Sequence, residues 1–229
     1  MPLKEETAAT TYEEVDRWEG GMGWLAHPEE TMQRASHALV VDDEVWVVDP
    51  VEAPGIDEAF AAFGPVAGVV VTMDRHARDA ARIAGRHGVH VHVPEWVAGS
   101  VSISGPVERF QGELADTGFR ALKVLDVPGW HEAALYDHRT GTLVVGEAVG
   151  TADYFLAGAE RLGVHPMLRL TPPTVFRGLE PARILVGHGA GVSTDATGAL
   201  IDALAGSRRR FPALLVQTVR QFLPGGSQT

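Results

Sequence analysis

An α/β fold on buried strands is what the sequence predicts, and three observations carry the prediction. Residues 66–72 (VAGVVVT) form a continuous apolar run, which a strand buried on both faces needs. That run lies between two segments of helical spacing. Residues 55–63 place Ile56, Phe60 and Phe63 on one side before Gly64-Pro65, and residues 78–87 place Ala80, Ala81, Ile83 and Ala84 on one side before Gly88. Ahead of both, residues 37–41 and 44–50 flank the acidic pair Asp42-Asp43, the pattern of a two-residue hairpin. With a further strand at 89–93, the first part of the chain reads as a hairpin followed by helix, strand, helix and strand. This is the signature of βα units on a buried sheet.

The second half is looser. Residues 119–127 read as a strand, 133–136 and 142–145 as a hairpin around His138-Arg139-Thr140-Gly141, and 183–186 as a short buried strand. Ser193 is suited to cap a helix through Ala205, and Pro212, at a first helical position, opens another through Phe222. Residues 1–16 are expected to form a flexible tail, and 17–229 a single domain. No Gly/Ser-rich or Pro-rich linker divides the chain, and its strand-rich halves flanked by helices suggest two sheets facing each other.

Composition bounds the function. The chain has 229 residues, 45% hydrophobic and 21% charged, which suits one globular domain. Its net charge of −11 disfavours nucleic acid and anionic lipid as partners. No apolar run reaches membrane-spanning length, and the polar, acidic N-terminus is not that of a secretory signal, so a cytoplasmic protein is expected. Cysteine is absent, which removes disulfides, thiolate ligands and a cysteine nucleophile. Arg208-Arg209-Arg210 reads as a solvated junction. Leu214, Leu215, Val219 and Phe222 would cover the core or a second copy in a homodimer.

Open α/β sheets bind ligands beyond the C-terminal ends of their strands. Polar residues gather at four such ends: Asp74-Arg75-His76-Ala77-Arg78-Asp79 after VVVT, Pro128-Gly129-Trp130-His131 after Val127, Gly146-Glu147 after TLVV, and Gly187-His188-Gly189 after ILV. Asp49, in VVDPVEAPG, ends a fifth strand. His188 between two glycines is unlike a packing residue. His131 reads equally as a loop residue, Asp79 as a first-turn acid favoured by the helix dipole, and His76 as a cap. His90 and His92 share one strand face at a spacing that can chelate metal, although strand-face solvation is the plainer account. Trp46 and Trp96 are most simply core or rim aromatics.

These strand ends, in this order, resemble the metallo-β-lactamase superfamily over roughly residues 33 to 190. The family has a strand ending in Asp, then H-x-H-x-D-H, a PGH loop, a strand ending in G-D and a strand ending in GHG. ILVGHGAG is similar to the last almost letter for letter, and LDVPGWHEAALYDHRTGTLVVGEA to the PGH-to-GD stretch, with Glu147 where the family has its bridging Asp. The resemblance implies a four-layer αββα sandwich. The metal motif departs from the family pattern. Anchored on Thr72, the first loop puts Met73, Arg75, Ala77 and Arg78 at the ligand places; slid by one residue, it puts Asp74, His76, Arg78 and Asp79 there. The PG is followed by Trp130 and then His131. Only Glu147 and His188 fall at family positions without adjustment.

Two readings follow. In one, Asp74, His76, Asp79, His131, Glu147 and His188 gather one divalent cation. Imidazole with carboxylate suits zinc, manganese or iron, and the cation would activate water against a small ester, thioester, lactone or amide. In the other, no cation binds. Arg78 supplies the positive charge among Asp74, Asp79 and Glu147, with Asp49 and Trp130 beside it, and the cleft or a dimer face serves a small-molecule ligand or a partner. Charge favours the second, since a fixed cation repels a dication by ~4 kcal/mol per unit-charge pair at 4 Å near a protein surface. A serine hydrolase is disfavoured, because GSVSISG is not G-x-S-x-G and lacks the setting of a nucleophile elbow.

Overall fold

The computed structural model describes residues 2–222. The chain opens with four strands, β1 (Glu13–Trp18), β2 (Gly21–Leu25), β3 (Ala35–Val41) and β4 (Glu44–Val48). There follow α1 (Ile56–Ala61), β5 (Val66–Val70), α2 (Ala80–His87), β6 (Val91–Pro94), α3 (Glu95–Ala98) and β7 (Val107–Phe110). These strands form one sheet in sequential order, antiparallel through β4 and parallel thereafter. The rest comprises β8 (Arg120–Val127), β9 (Trp130–Asp137), β10 (Thr142–Val145), the short pair β11 (Val149–Gly150) and β12 (Gly163–Val164), β13 (Arg183–Val186) and the long helix α4 (Ala196–Phe222). The second sheet runs β13-β10-β9-β8, with β10 and β13 parallel.

Alternation along the strands builds the layers. Val45, Val47, Val69, Val91 and Val93 pack with Ile56, Phe60, Ile83 and Val97 on the helical side of the first sheet. Trp46, Val48 and Val70 face the other way and meet Leu135, Val144 and Leu185 of the second sheet. The outer face of that sheet, through Ala134, Tyr136, Leu143, Val145, Ile184 and Val186, is covered by Ala196, Ala199, Leu200 and Ala203 of α4. Helices, sheet, sheet and helix make the four-layer αββα sandwich.

The β3–β4 turn at Asp42-Asp43 has both residues at positive φ, as a type I′ turn requires, and α2 ends at left-handed Gly88. Three expectations need correction. The segment expected as a tail is tied down: Glu13–Asp16 belong to β1, and Thr31 and Met32 N–H donate to the carbonyls of Pro2 and Leu3. The buried Glu30–Arg34 pair anchors it further, accepting from Glu5 N–H and donating to Glu5 O. The PGWH stretch is not an open loop but a tight turn, with Val127 opposite Trp130. The two C-terminal helices are one, α4, which runs through exposed Pro212. Arg208–Arg210 therefore lie on that helix, where Arg210 pairs with Asp202 and Glu160. Leu214 is buried and Leu215 exposed, while the side chains of Val219 and Phe222 fall outside the described residues. No described helix is long and apolar enough to cross a membrane.

Behind α4 lies a fully buried ion pair. Both amino groups of Arg169 donate to the Glu160 carboxylate, at 2.9 and 2.6 Å, and its Nε donates to Val164 O. Removing Arg169 leaves the buried Glu160 carboxylate to Arg210 Nη1 at 3.2 Å and Ala157 N–H, so Arg169→Ala is expected to cost about 3 kcal/mol, the low end for a broken buried pair, in denaturant unfolding. A loss below about 1 kcal/mol would contradict this account of the pair.

Candidate metal centre

The site is assembled where β4, β5, β10 and β13 end. Asp49, just past β4, is buried and adopts a positive φ of 48°. Its carboxylate accepts from Thr72 N–H (2.8 Å), the Thr72 hydroxyl and His76 Nδ1 (2.8 Å). Burial alone would raise the Asp49 carboxyl, but His76, Arg78 and these hydrogen bonds hold it below the usual range. Because Nδ1–H donates to the Asp49 carboxylate, His76 keeps a lone pair at Nε2.

His188, just past β13, follows the same logic. Its Nδ1 lies 2.8 Å from Met32 O, an acceptor, so that nitrogen carries the proton. Its Nε2 is buried and has no hydrogen-bond partner. Burial first, then the neighbouring His76 and Arg78, lowers its pKa well below the usual value. The flanking glycines are required by close approach. A Cβ on Gly187 would strike Gly146 O and come within 2.9 Å of His76 Cε1, and one on Gly189 would strike Thr151.

Glu147, at the end of β10, completes the group. Ligand atoms of His76, Glu147 and His188 lie within 4.8 Å of one another, the only such triad among the described residues. Glu147 Oε1 is 4.0 Å from His188 Nε2 and 3.8 Å from His165 Nε2. Its other oxygen accepts from Arg75 Nη2 at 2.6 Å. Its backbone N–H donates to Glu132, a buried carboxyl that also accepts from Ala148 N–H and Trp130 Nε1 and that burial pushes up to about 7.

Of the six candidate ligands read from the sequence, three come together, His76, Glu147 and His188. Asp74 instead accepts from His131 N–H, bracing β9. The His131 ring turns outward to Asp126, because its place on the β8–β9 hairpin points it away from the strand ends. Asp79 precedes α2 and accepts from Glu52 N–H. Arg78 does reach the centre, but it meets carbonyls rather than the acids expected. Its amino groups donate to Ala35 O (2.6 Å), Asp49 O (2.8 Å) and Gly187 O (3.1 Å), and one lies 3.3 Å from His76 Nε2. Trp130 carries Arg75 over its ring at 4.7 Å. Arg75, Glu132, His165 and Tyr154 were not singled out as site residues by sequence. Tyr154 lies in the connection between β11 and β12, with a buried, unpartnered hydroxyl and its ring 6.0 Å from that of His188. His165 follows β12, and burial lowers it to about 4.

No family model and no curated protein match the chain in sequence. Its architecture is matched by solved structures. The DIM-1 metallo-β-lactamase aligns with a TM-score of 0.62 at 10% identity, over 90% of this chain and 99% of its own. A fragment of a diflavin flavoprotein from Nostoc gives 0.62 at 14% identity over 88% and 98%, and a metallo-β-lactamase from Hirschia baltica 0.56 at 11% over 86% and 98%. The four layers, the order of strand ends and these alignments agree: the chain has the metallo-β-lactamase fold.

Proposed function

We propose that this protein holds one divalent cation on His76, Glu147 and His188 and hydrolyses a small ester, thioester, lactone or amide. The observation that carries the reading is the pair of imidazoles whose Nδ1 sides are committed to Asp49 and to Met32 O. Metal-binding histidines are oriented in this way, with the second nitrogen's proton given to a carboxylate or carbonyl. Two imidazole nitrogens and a carboxylate, with a coordination position left over, suit zinc, manganese or iron. When bound, the cation would supply a Lewis acid and a water of lowered pKa.

The chain's own residues do the rest. Asp49 and Met32 fix the two rings, and Glu132 fixes the backbone of Glu147. The triad is buried, while the Arg75 side chain is 43% exposed and covers the Glu147 carboxylate, so a substrate reaches the centre past Arg75. The Tyr154 hydroxyl offers an uncommitted hydrogen-bond donor to the ligand.

A second reading rests on Arg78, whose guanidinium already occupies one side of His76 Nε2 at 3.3 Å. In it the guanidinium replaces the cation and the protein binds a small molecule without catalysis.

The two readings separate in metal content. After dialysis against zinc and then metal-free buffer, elemental analysis is expected to give about one ion per chain fewer in His188→Ala and in Glu147→Gln than in the wild type. Chelator is expected to lower the melting temperature of the wild type, because an ion bound only to the native state stabilises it. Zinc content that neither His188→Ala nor Glu147→Gln lowers would favour the Arg78 reading.

Proton competition gives an independent test. His76 and His188 are both lowered, burial being the largest cause, so above pH 6.5 both are mostly without the proton that a cation must displace. Zinc affinity is expected to stay flat from pH 8 to 6.5 in titrations corrected for buffer. A steep loss already between pH 8 and 7 would mean that the ligands are not these two rings.

A further inference from the structure

We propose a second metal site on the flank of the first sheet, built from His92 and Glu108 with His90 as third ligand and taking a transition-metal dication such as zinc. His90 immediately precedes β6 and His92 lies within it, so their side chains share a face. Val91 and Val93, which alternate with them, pack into the helix-side core. Glu108 on β7 stands directly opposite His92 in the parallel register.

His92 is not the solvated strand residue its spacing first suggests. It is only 5% exposed, and its Nδ1 is buried without a hydrogen-bond partner. Buried polar atoms are nearly always satisfied, so this one needs an explanation. Its nearest carboxylate oxygen, Glu108 Oε2, is 4.0 Å away, beyond hydrogen-bond reach. That gap is close to the edge of about 3.3 Å expected between two ligands at roughly 2.0–2.1 Å from a tetrahedral ion.

The fixed and mobile parts are also suitably divided. The His92 ring is held by the edge of Trp46, with centroids 5.0 Å apart, above Gly68. A Cβ at Gly68 would come within 2.9 Å of His92 Cδ2 and 2.6 Å of Trp46 Cζ3, so only glycine leaves room for the two rings there. Glu108 is 56% exposed along its side chain and His90 is exposed, with its ring centroid 6.4 Å from that of His92, so both are free to close on an ion. Glu108 favours positive charge at His92, whereas Arg75 and Arg78 stand against a dication at the first centre.

The test uses the full-length His188→Ala chain, which lacks a ligand of the first centre. Dialysed against zinc and then metal-free buffer, it is expected to retain about one zinc by elemental analysis. Adding Glu108→Gln, or separately His90→Ala, is expected to remove that zinc while circular dichroism stays unchanged, since both positions are exposed. If His188→Ala retains no zinc, the gap holds only a bridging water and the proposal fails. It fails equally if the zinc survives both added substitutions. Equal zinc in the wild type and His188→Ala, lost with Glu108→Gln in each, would sink the first centre and leave this one standing.

Discussion

The Asp49 carboxylate leaves water at the end of β4 and must be satisfied there, and the groups that satisfy it are those that arrange the centre. Thr72 N–H and hydroxyl fix the chain as it leaves β5, and His76 Nδ1 fixes the ring that follows. The same residue's carbonyl receives the Ser36 hydroxyl and Arg78. Hydrogen bonds to a charged group are worth roughly 1.5–3 kcal/mol each, enough to hold Asp49 at positive φ against its intrinsic preference. Removing this charge would leave Thr72 and His76 without buried acceptors.

Around that anchor, opposite charges are kept in separate roles. Arg78 is spent on carbonyl oxygens where β3, β4 and β13 come together, and Arg75 neutralises Glu147 from the solvent side. Asp49, Asp74 and Glu147 outnumber the two arginines, so the pocket's balance is negative even with Arg78 inside it. The repulsion that weighed against a cation in the sequence is thus offset, although Arg78 still shares the His76 lone pair.

The architecture was legible because buried strands write themselves as apolar runs and turns as Gly, Pro and paired Asp. Residues 66–72, the Asp42-Asp43 turn and the halt at Gly88 all read correctly. The opening strand β1 was missed because Glu13–Trp18 is polar and has no buried residue, and an edge strand leaves little periodic trace, while β2, buried throughout, is a short GMGWL run broken by two glycines. Glu147 and His188 were legible as strand-end residues, since β10 and β13 are short and end sharply. His165 and Tyr154 were not, because they come from irregular connections whose path depends on tertiary packing. Asp74, Asp79 and His131 show the limit from the other side. Residue type and spacing nominated them as ligands, but backbone direction at the β8–β9 hairpin and ahead of α2 turned each to a local partner.

Glu147 and His188 each stand two residues beyond the matched pair Val145 and Val186 on adjacent parallel strands. Their separation is therefore inherited from the inter-strand spacing, a rigid quantity of about 4.8 Å. His76 belongs to a loop and is held in place by one carboxylate. The triad accordingly has a stiff edge and a hinged vertex. On warming, the corner held by a single carboxylate is expected to lose its alignment before the two that follow paired strands.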